Sequence, residues 1–484
     1  MKEVANFING EWVKTGSTFE NINPANGKTV ALIHEANRDT VDAAADAAQA
    51  AMKGPWGKMP LQQRCQLLYK IADEIERRIE EFVAVECEDV GVPEPLAKAI
   101  FIGRAAFLFR MYADQAKEHM EKAYHFDTPD GGKALAYTFH RPKGVVGAIA
   151  PWNVPMLLLA FKVAPALAAG NTVVAKPSEI TPQSATLLAE VMRDVGVPDG
   201  VYNVVQGFGR ESAGEYLTEN QGVMAYSFTG ESTTGSAIMR AAANGLRDVS
   251  LEMGGKNSSI VFADANLDAA LPGSGMSCFS NTGQICLSTE RMYVQRPIYE
   301  EFVERLMKAA SGIKIGGPFE QGVQMGPLVS QAHREKVLLA LDGARDDGGE
   351  VVFGGGIPEF GDERDDGSFI QPAIVTGLPE SSAFVQKEIF GPVTHIQPFD
   401  EEDEAIAMAT DTAYGLTSTL WTQDLSRGHR VAAQMQSGLI WVNSWQLRDL
   451  RAPFSGHGLS GVGTQGGTES LEFFSEVSTV TLKI

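Results

Sequence analysis

Gly144-Val-Val-Gly-Ala-Ile-Ala150 is a short run rich in small and β-branched residues, and it leads through Pro151-Trp-Asn-Val-Pro155 into a helical stretch. The same texture returns at once in Thr172-Val-Val-Ala175, again followed by a Pro-containing loop and a helical stretch. Gly200-Val-Tyr-Asn-Val-Val205, Ala225-Tyr-Ser-Phe228 and Val249-Ser-Leu251 continue the series at the spacing that βα units require. Strand, loop and helix in repetition predict a parallel sheet covered by helices, a nucleotide-binding topology by type. A second α/β alternation runs from about residue 258 to 445, with Ser258–Phe262, Met292–Gln295 and Leu439–Val442 as strands, which predicts a second lobe. The first third is mainly helical. Thr40 stands as the N-cap of a helix over 40–53, and apolar positions recur at helical spacing through 61–88.

The chain has 484 residues, enough for two to four domains at ~100–200 residues each. Hydrophobic residues make up 44% and charged residues 21%, which excludes global disorder. A formal charge of −21 repels nucleic acid and anionic lipid, so neither is an expected partner, and an anionic substrate needs a local positive pocket. Cys65, Cys87, Cys278 and Cys286 form no C-x-x-C pair and are too few for a disulfide framework, which points to reduced thiols and a cytoplasmic location. The eight histidines form no H-E-x-x-H and no cluster with cysteine, so no metal is expected. The start of the chain lacks a basic region followed by an apolar one, and no stretch reaches ~18 uninterrupted apolar residues. The longest contender, 145–169, is broken by Pro151, Asn153, Pro155, Lys162 and Pro165 and belongs to a core. Asp400-Glu-Glu-Asp-Glu404 reads as a solvated helix start.

The sharpest chemical feature is Asn281-Thr-Gly-Gln-Ile-Cys286. A cysteine alone is more often a small buried hydrophobe than a nucleophile, and that is the reading for Cys65, Cys87 and Cys278. Cys286 is set apart by its companions: Pro151-Trp-Asn-Val-Pro155, Leu251-Glu-Met-Gly-Gly-Lys256 and Lys387-Glu-Ile-Phe-Gly-Pro392. In this order and spacing the four motifs resemble those of the NAD(P)-dependent aldehyde dehydrogenases, with correspondence from about residue 7 to 480. The resemblance implies an aldehyde dehydrogenase-like α/β fold. A Rossmann-type parallel-sheet cofactor domain would span 1–123 and 143–254, an α/β catalytic domain 255–469, and a small β oligomerisation extension 124–142 and 470–484. It implies a homodimer or homotetramer as well. The Val477-Ser-Thr-Val-Thr-Leu482 run has the β-branched content of a strand that adds to a neighbouring subunit's sheet.

By the same resemblance, the catalytic residues are Cys286 as nucleophile, Glu252 as general base and Asn153 as oxyanion donor together with the Cys286 backbone N–H. Asn153 equally suits a turn between its two flanking prolines. Relatives that pass the acyl group to coenzyme A usually lack the glutamate, so Glu252 points to hydrolysis to a free acid. For the cofactor, Lys176 and Glu179 resemble the pair that binds the adenosine ribose hydroxyls, and a carboxylate there favours NAD over NADP. Gly230 and Gly235, in Phe228-Thr-Gly-Glu-Ser-Thr-Thr-Gly235, would let backbone approach the pyrophosphate ahead of a helix N-terminus. Glu388 matches the residue that holds the nicotinamide ribose, with Phe390 beside it and Trp152 also on the cofactor. Glu231, where many relatives have Ser, is left out of the site.

The segment Asn443-Ser-Trp-Gln-Leu-Arg-Asp-Leu-Arg451 resembles the loop of the muconic semialdehyde dehydrogenases, whose arginine contacts the substrate carboxylate. Arg448 holds that position here, and Arg104, in Ile102-Gly-Arg-Ala-Ala-Phe-Leu-Phe109, matches a second arginine of the same group. Each alone would usually be a solvated surface residue; together they can offer planar, bidentate donors to a carboxylate. The expected substrate is a small aldehyde, 2-hydroxymuconate 6-semialdehyde or its 2-aminomuconate analogue, oxidised in aromatic-compound catabolism. The alternatives are a dehydrogenase for neutral aromatic or aliphatic aldehydes and, from another class, a non-catalytic structural member. Pro453-Phe-Ser-Gly-His-Gly-Leu-Ser-Gly461 and Gly463-Thr-Gln-Gly466 depart from the family pattern at Ser455, Gly458, Thr464 and Gln465.

Overall fold

Val145–Ile149 and Thr172–Lys176 are buried at every position, as strands must be when helices cover both faces of a sheet. The computed structural model, which describes residues 2–484, places them at the centre of an eight-stranded sheet. Its parallel core runs Asp248–Met253, Val223–Gly230, Val145–Ile149, Thr172–Lys176, Tyr202–Val204, so the chain order reverses between Val145–Ile149 and Val223–Gly230. That reversal opens a crevice at the carboxyl ends of the strands, where open α/β sheets bind ligands. Antiparallel strands close both edges: Asn6–Ile8 and Glu11–Val13 on one side, Gly461–Val462 on the other.

A second sheet of seven strands is ordered Glu350–Gly354, Ala373–Thr376, Val393–Phe399, Thr289–Gln295, Asn257–Val261, Thr417–Trp421, Leu439–Val442. Only its first strand is antiparallel. A third sheet pairs Ala123–Asp127 with Lys133–Pro142 and Lys133–Pro142 with Ser475–Lys483, the last pairing running from Ser475↔Pro142 to Lys483↔Ala134. The final strand thus pairs along its length with its own chain, and Tyr124, Phe126, Tyr137, Val477 and Leu482 of this sheet are exposed.

The helical first third follows the apolar spacing, with Arg38–Lys53, Leu61–Arg77 and Ile79–Val90. The first start differs from expectation. Asn37, not Thr40, is the N-cap, and its Oδ1 accepts from both the backbone N–H (2.9 Å) and the hydroxyl (2.7 Å) of Thr40. Thr40 lies inside the first turn, where its N–H is one of the groups a cap must satisfy. Glu401 and Glu404 form a capping box at the acidic helix start, Glu402–Thr410. Asn171, fully buried, joins sheet and extension: its Oδ1 accepts from Gly144 N–H (2.9 Å) and its Nδ2 donates to Phe474 O (2.8 Å). Among the described residues no helix is long and apolar enough to cross a membrane.

Candidate active site

The loop after Val145–Ile149 and the loop that leads into Thr289–Gln295 meet between the two large sheets. Asn153 Nδ2 donates to Gln284 O (2.9 Å), and Asn281 Nδ2 donates back to Asn153 O (3.0 Å). Asn281, Thr282 and Gly283 are all left-handed, with φ of 49°, 58° and 68°. A β-branched residue there is a steric outlier, and each such residue costs ~1–3 kcal/mol that its surroundings must offset. They do so through Thr282 Oγ1 to Gly326 O (3.0 Å) and Val329 N to Gln284 Oε1 (2.8 Å). Gly283 is also forced by space: a Cβ would lie 2.0 Å from Gly391 O. Beyond the cysteine, Asn257 Nδ2 donates to the carbonyls of Cys286 (2.7 Å) and Ser288 (2.8 Å), and Trp445 Nε1 donates to that of Leu287 (3.1 Å). Cys286 is therefore held from both sides.

Cys286 is half-buried, whereas Cys65, Cys87 and Cys278 are buried. Its thiol is pushed up to about 12 by burial first and then by the carboxyls of Glu388 and Glu252, against the opposing pull of Arg448. A thiol so placed needs a proton acceptor. Glu252, near the end of Asp248–Met253, is buried with no protein hydrogen-bond partner for either carboxyl oxygen. Burial pushes it up to about 8, while Lys162 and Arg448 hold it down. Lys162 is fully buried and donates from Nζ to Thr229 Oγ1 (2.6 Å), and Thr229 is the register partner of Glu252 on the adjacent strand. Burial draws Lys162 down to about 7. Sequence reasoning did not assign Lys162 to the site, although it is the single charged residue of the otherwise apolar Pro155–Ala168 helix.

Arg448 is not a solvated surface arginine. Its guanidinium carbon lies 4.3 Å from the ring centroid of Phe454 and 5.6 Å from that of Phe161, and its Nε and Nη2 are buried without a protein partner. The loop that presents it turns through left-handed Asn443 and Gln446, pinned by Asn443 Nδ2 to Thr422 O (2.8 Å) and Trp441 Nε1 to Leu447 O (3.0 Å). Arg104 is the second residue of Gly103–Glu118, just after a π-helical turn over Ala97–Ile102, and it is half-buried. Burial lowers the pKa of both arginines, and Arg104 depresses Arg448 further. Among the described residues neither forms an ion pair. Nε and Nη2 of Arg448 are thus desolvated without an acceptor, a cost offset in part by the attraction of Glu252 and by the two ring faces.

The residues expected at the cofactor come from both large sheets: Trp152, Lys176, Glu179 and Gly230 at or just after the ends of first-sheet strands, Glu388 and Phe390 on the loop before Val393–Phe399. At the end of Thr172–Lys176, buried Lys176 pairs with half-exposed Glu179 at 3.3 Å, an ammonium and a carboxylate side by side that suit a diol and repel a phosphate. Gly230 ends its strand, and a Cβ on it would strike the Phe228 ring. Gly235 is bare for a packing reason that the sequence did not show. It lies within the Ser232–Ala243 helix, where a Cβ would fall 2.4 Å from Met253 Sδ, so its bareness lets the helix pack closely on the strand. Glu231 sits at the N-cap position of that helix and is exposed. Glu388 accepts from Gly255 N–H (2.7 Å) and is pushed up to about 8, chiefly by burial. Trp152 meets Phe390 edge-on, centroids 5.3 Å apart, with His333 against Trp152 at the same distance; His333 was not singled out in the sequence. Among the described residues no three His, Cys, Asp or Glu side chains form a group that could hold a metal ion.

Comparison with known proteins adds the following. The family model described as the aldehyde dehydrogenase family matches residues 12–480. A 2-hydroxymuconic semialdehyde dehydrogenase of Pseudomonas sp. (strain CF600) is 53% identical over 486 residues, covering 100% of both chains. A 2-aminomuconic 6-semialdehyde dehydrogenase of Pseudomonas sp. is 49% identical over 100% of this chain and 99% of its own. The NAD+ complex of an aldehyde dehydrogenase from Bacillus cereus superposes with a TM-score of 0.96 at 37% identity, covering 100% of this chain and 97% of that one.

Gly283→Ala tests the loop geometry. Left-handed alanine costs ~1–2 kcal/mol, and here its Cβ also meets backbone, so the variant should lose more than that, read as a lower urea midpoint. A wild-type midpoint would contradict the close approach of Gly283 to Gly391.

Proposed function

This chain belongs to the aldehyde dehydrogenase family, and from that premise we propose that it oxidises a carboxylated, unsaturated semialdehyde to the acid in the breakdown of aromatic compounds. The substrate is 2-hydroxymuconate 6-semialdehyde or its 2-aminomuconate analogue. The chain is an NAD-dependent aldehyde dehydrogenase. The observation that carries the substrate reading is the half-buried Arg448, whose guanidinium Nε and Nη2 are buried without a protein partner, with Arg104 as a second unpaired cation. Two relatives with muconic semialdehyde names support it.

In this reading Cys286 loses its proton to Glu252, either directly or through water, and its sulfur adds to the aldehyde carbon. The oxyanion so formed is met by the Asn153 amide and the Cys286 backbone N–H. Asn153 Nδ2 carries two hydrogens, of which one is committed to Gln284 O. NAD, when bound, supplies the acceptor for the hydride that leaves this carbon, which turns the thiohemiacetal into a thioester. Lys176 and Glu179 would hold its adenosine ribose and Glu388 its other ribose, with Gly230, Trp152 and Phe390 beside it. Once Glu252 has released the thiol proton to solvent it takes a proton from water, the oxygen adds to the thioester carbon, and the thiolate leaves with the acid released. Lys162, beside Glu252, offsets the carboxylate charge that forms at each deprotonation.

The division of labour we propose follows the sheets: cofactor on 1–123 and 143–254, chemistry on 255–469, and self-association through 124–142 and 470–484. The exposed apolar residues and free edge of the third sheet support a homodimer or homotetramer. Four free cysteines suit the reducing cytoplasm.

Three outcomes check this reading. Turnover should rise between pH 7 and 9, because Glu252 acts as a base only when ionised and burial holds its pKa at about 8; Glu252→Gln should remove that limb, and an unchanged limb would exclude Glu252. Arg448→Ala should lower kcat/KM for a carboxylated semialdehyde by roughly 10–100-fold, the loss of a charge-assisted hydrogen bond of ~1.5–3 kcal/mol, and change a neutral aldehyde much less. An equal fall on both would make Arg448 a brace and favour a broader aldehyde dehydrogenase. Light scattering should report a multiple of 52.0 kDa, and a monomer would remove the self-association reading.

A further inference from the structure

Glu290 has no part in the chemistry above, yet it is one of the most heavily engaged side chains near the site. It stands four residues beyond Cys286 on Thr289–Gln295 and is buried, as is its ion-pair partner Lys256. Its carboxylate accepts from two successive backbone N–H groups, those of Ile389 (3.0 Å to Oε2) and Phe390 (2.7 Å to Oε1). Successive N–H groups that converge on one anion form a nest, and the turn that makes this one includes left-handed Phe390, φ 64°. The next residue back, Glu388, is tied to Gly255 N–H, adjacent to Lys256. Gly254 must be bare for this, since a Cβ there would lie 1.9 Å from Glu388 Oε2. Phe390 is completed by its carbonyl, 2.7 Å from His333 Nε2.

A buried ion pair is weak evidence for stability, because apolar residues of similar volume often serve as well. What an apolar pair cannot do is accept two N–H groups and hold a left-handed phenylalanine. We propose that Glu290, with Lys256 as its counter-charge, is a positioning residue that fixes the Glu388–Phe390 turn for the cofactor, joining it to the strand that follows the nucleophile. The proposal rests on the reading that Glu388 and Phe390 contact NAD. It separates two functions that share one strand: Glu290 should govern the fit of the cofactor and leave the position of Cys286 alone, because Cys286 and Leu287 are held by Asn257 and Trp445 instead.

The test is Glu290→Gln, which keeps shape and an acceptor but halves the strength of the N–H bonds and strands Lys256. Lys256→Met combined with Glu290→Gln removes the stranded charge and carries the same test if the single variant fails to fold. KM for NAD, and Kd from a tryptophan-fluorescence titration with NAD, should rise about tenfold or more, the scale of losing hydrogen bonds to a charged group. KM for the aldehyde should stay within about twofold, and alkylation of Cys286 by iodoacetamide without NAD should not slow, since a loosened Glu388 carboxyl relieves the thiol. An unchanged KM and Kd for NAD in a folded variant would overturn the proposal, and so would alkylation that slows in step with them. Glu388→Gln, measured alongside, tests the underlying reading: if it leaves NAD binding unmoved, that reading falls and the proposal falls with it.

Discussion

A guanidinium without a counter-ion, lying against two phenyl rings close to a carboxyl without a hydrogen-bond partner, is the constraint around which this molecule is arranged. Arg448 and Glu252 are each costly where they sit, and the cost can be borne only by a large fold that immobilises both. Their mutual attraction offsets part of it, as does Lys162. What is left over is a guanidinium and a carboxyl whose buried polar atoms no protein group satisfies. In a chain of formal charge −21, the proposed substrate carboxylate would find its attraction at Arg448.

The scaffold meets this demand by setting the carboxyl ends of the first sheet's strands against the amino ends of strands of the second, where Asn257 opens one strand and the Cys286 loop leads into Thr289–Gln295. The helix Pro155–Ala168 links the parts: Asn153 lies just before it, Phe161 stacks on Arg448, and Lys162 reaches toward Glu252. The reciprocal bonds between Asn153, Gln284 and Asn281 then stitch the loop of the first sheet to the strained turn before Cys286. That turn would not survive in isolation. Three left-handed residues in succession persist because a buried glutamine, a threonine hydroxyl and the bareness of Gly283 leave no other arrangement.

Much of this was legible in the residues. The βα repetition from Gly144 onward is local and periodic, and strands at Val145–Ile149, Thr172–Lys176 and Asn257–Val261 appear where the β-branched runs stand. Motifs placed Cys286, Glu252 and Asn153 as candidates, and the structure gathers them. What escaped is what depends on contacts distant in sequence. Asn37 rather than Thr40 caps the first helix because both residue types suit a cap and only the backbone decides. Gly235 is bare because of Met253, eighteen residues on. Glu290 holds a turn about a hundred residues away, and no local pattern announces it. Lys162 is the instructive case, since a lone lysine in an apolar helix was visible as an interruption, and its physical reading, a buried amine beside a functional carboxyl, needed only the question of where its charge could go.

The central claim of the proposed function is that a half-buried arginine without a protein acceptor selects the substrate's carboxylate. It is tested most directly on the unaltered protein, by comparing kcat/KM for a carboxylated unsaturated semialdehyde with that for the methyl ester of the same aldehyde. The two differ in charge and little else, so the ratio isolates the anion. The account predicts that the acid is preferred by roughly 10–100-fold, as expected for a charge-assisted bidentate contact. Equal values, or a preference for the ester, would contradict it.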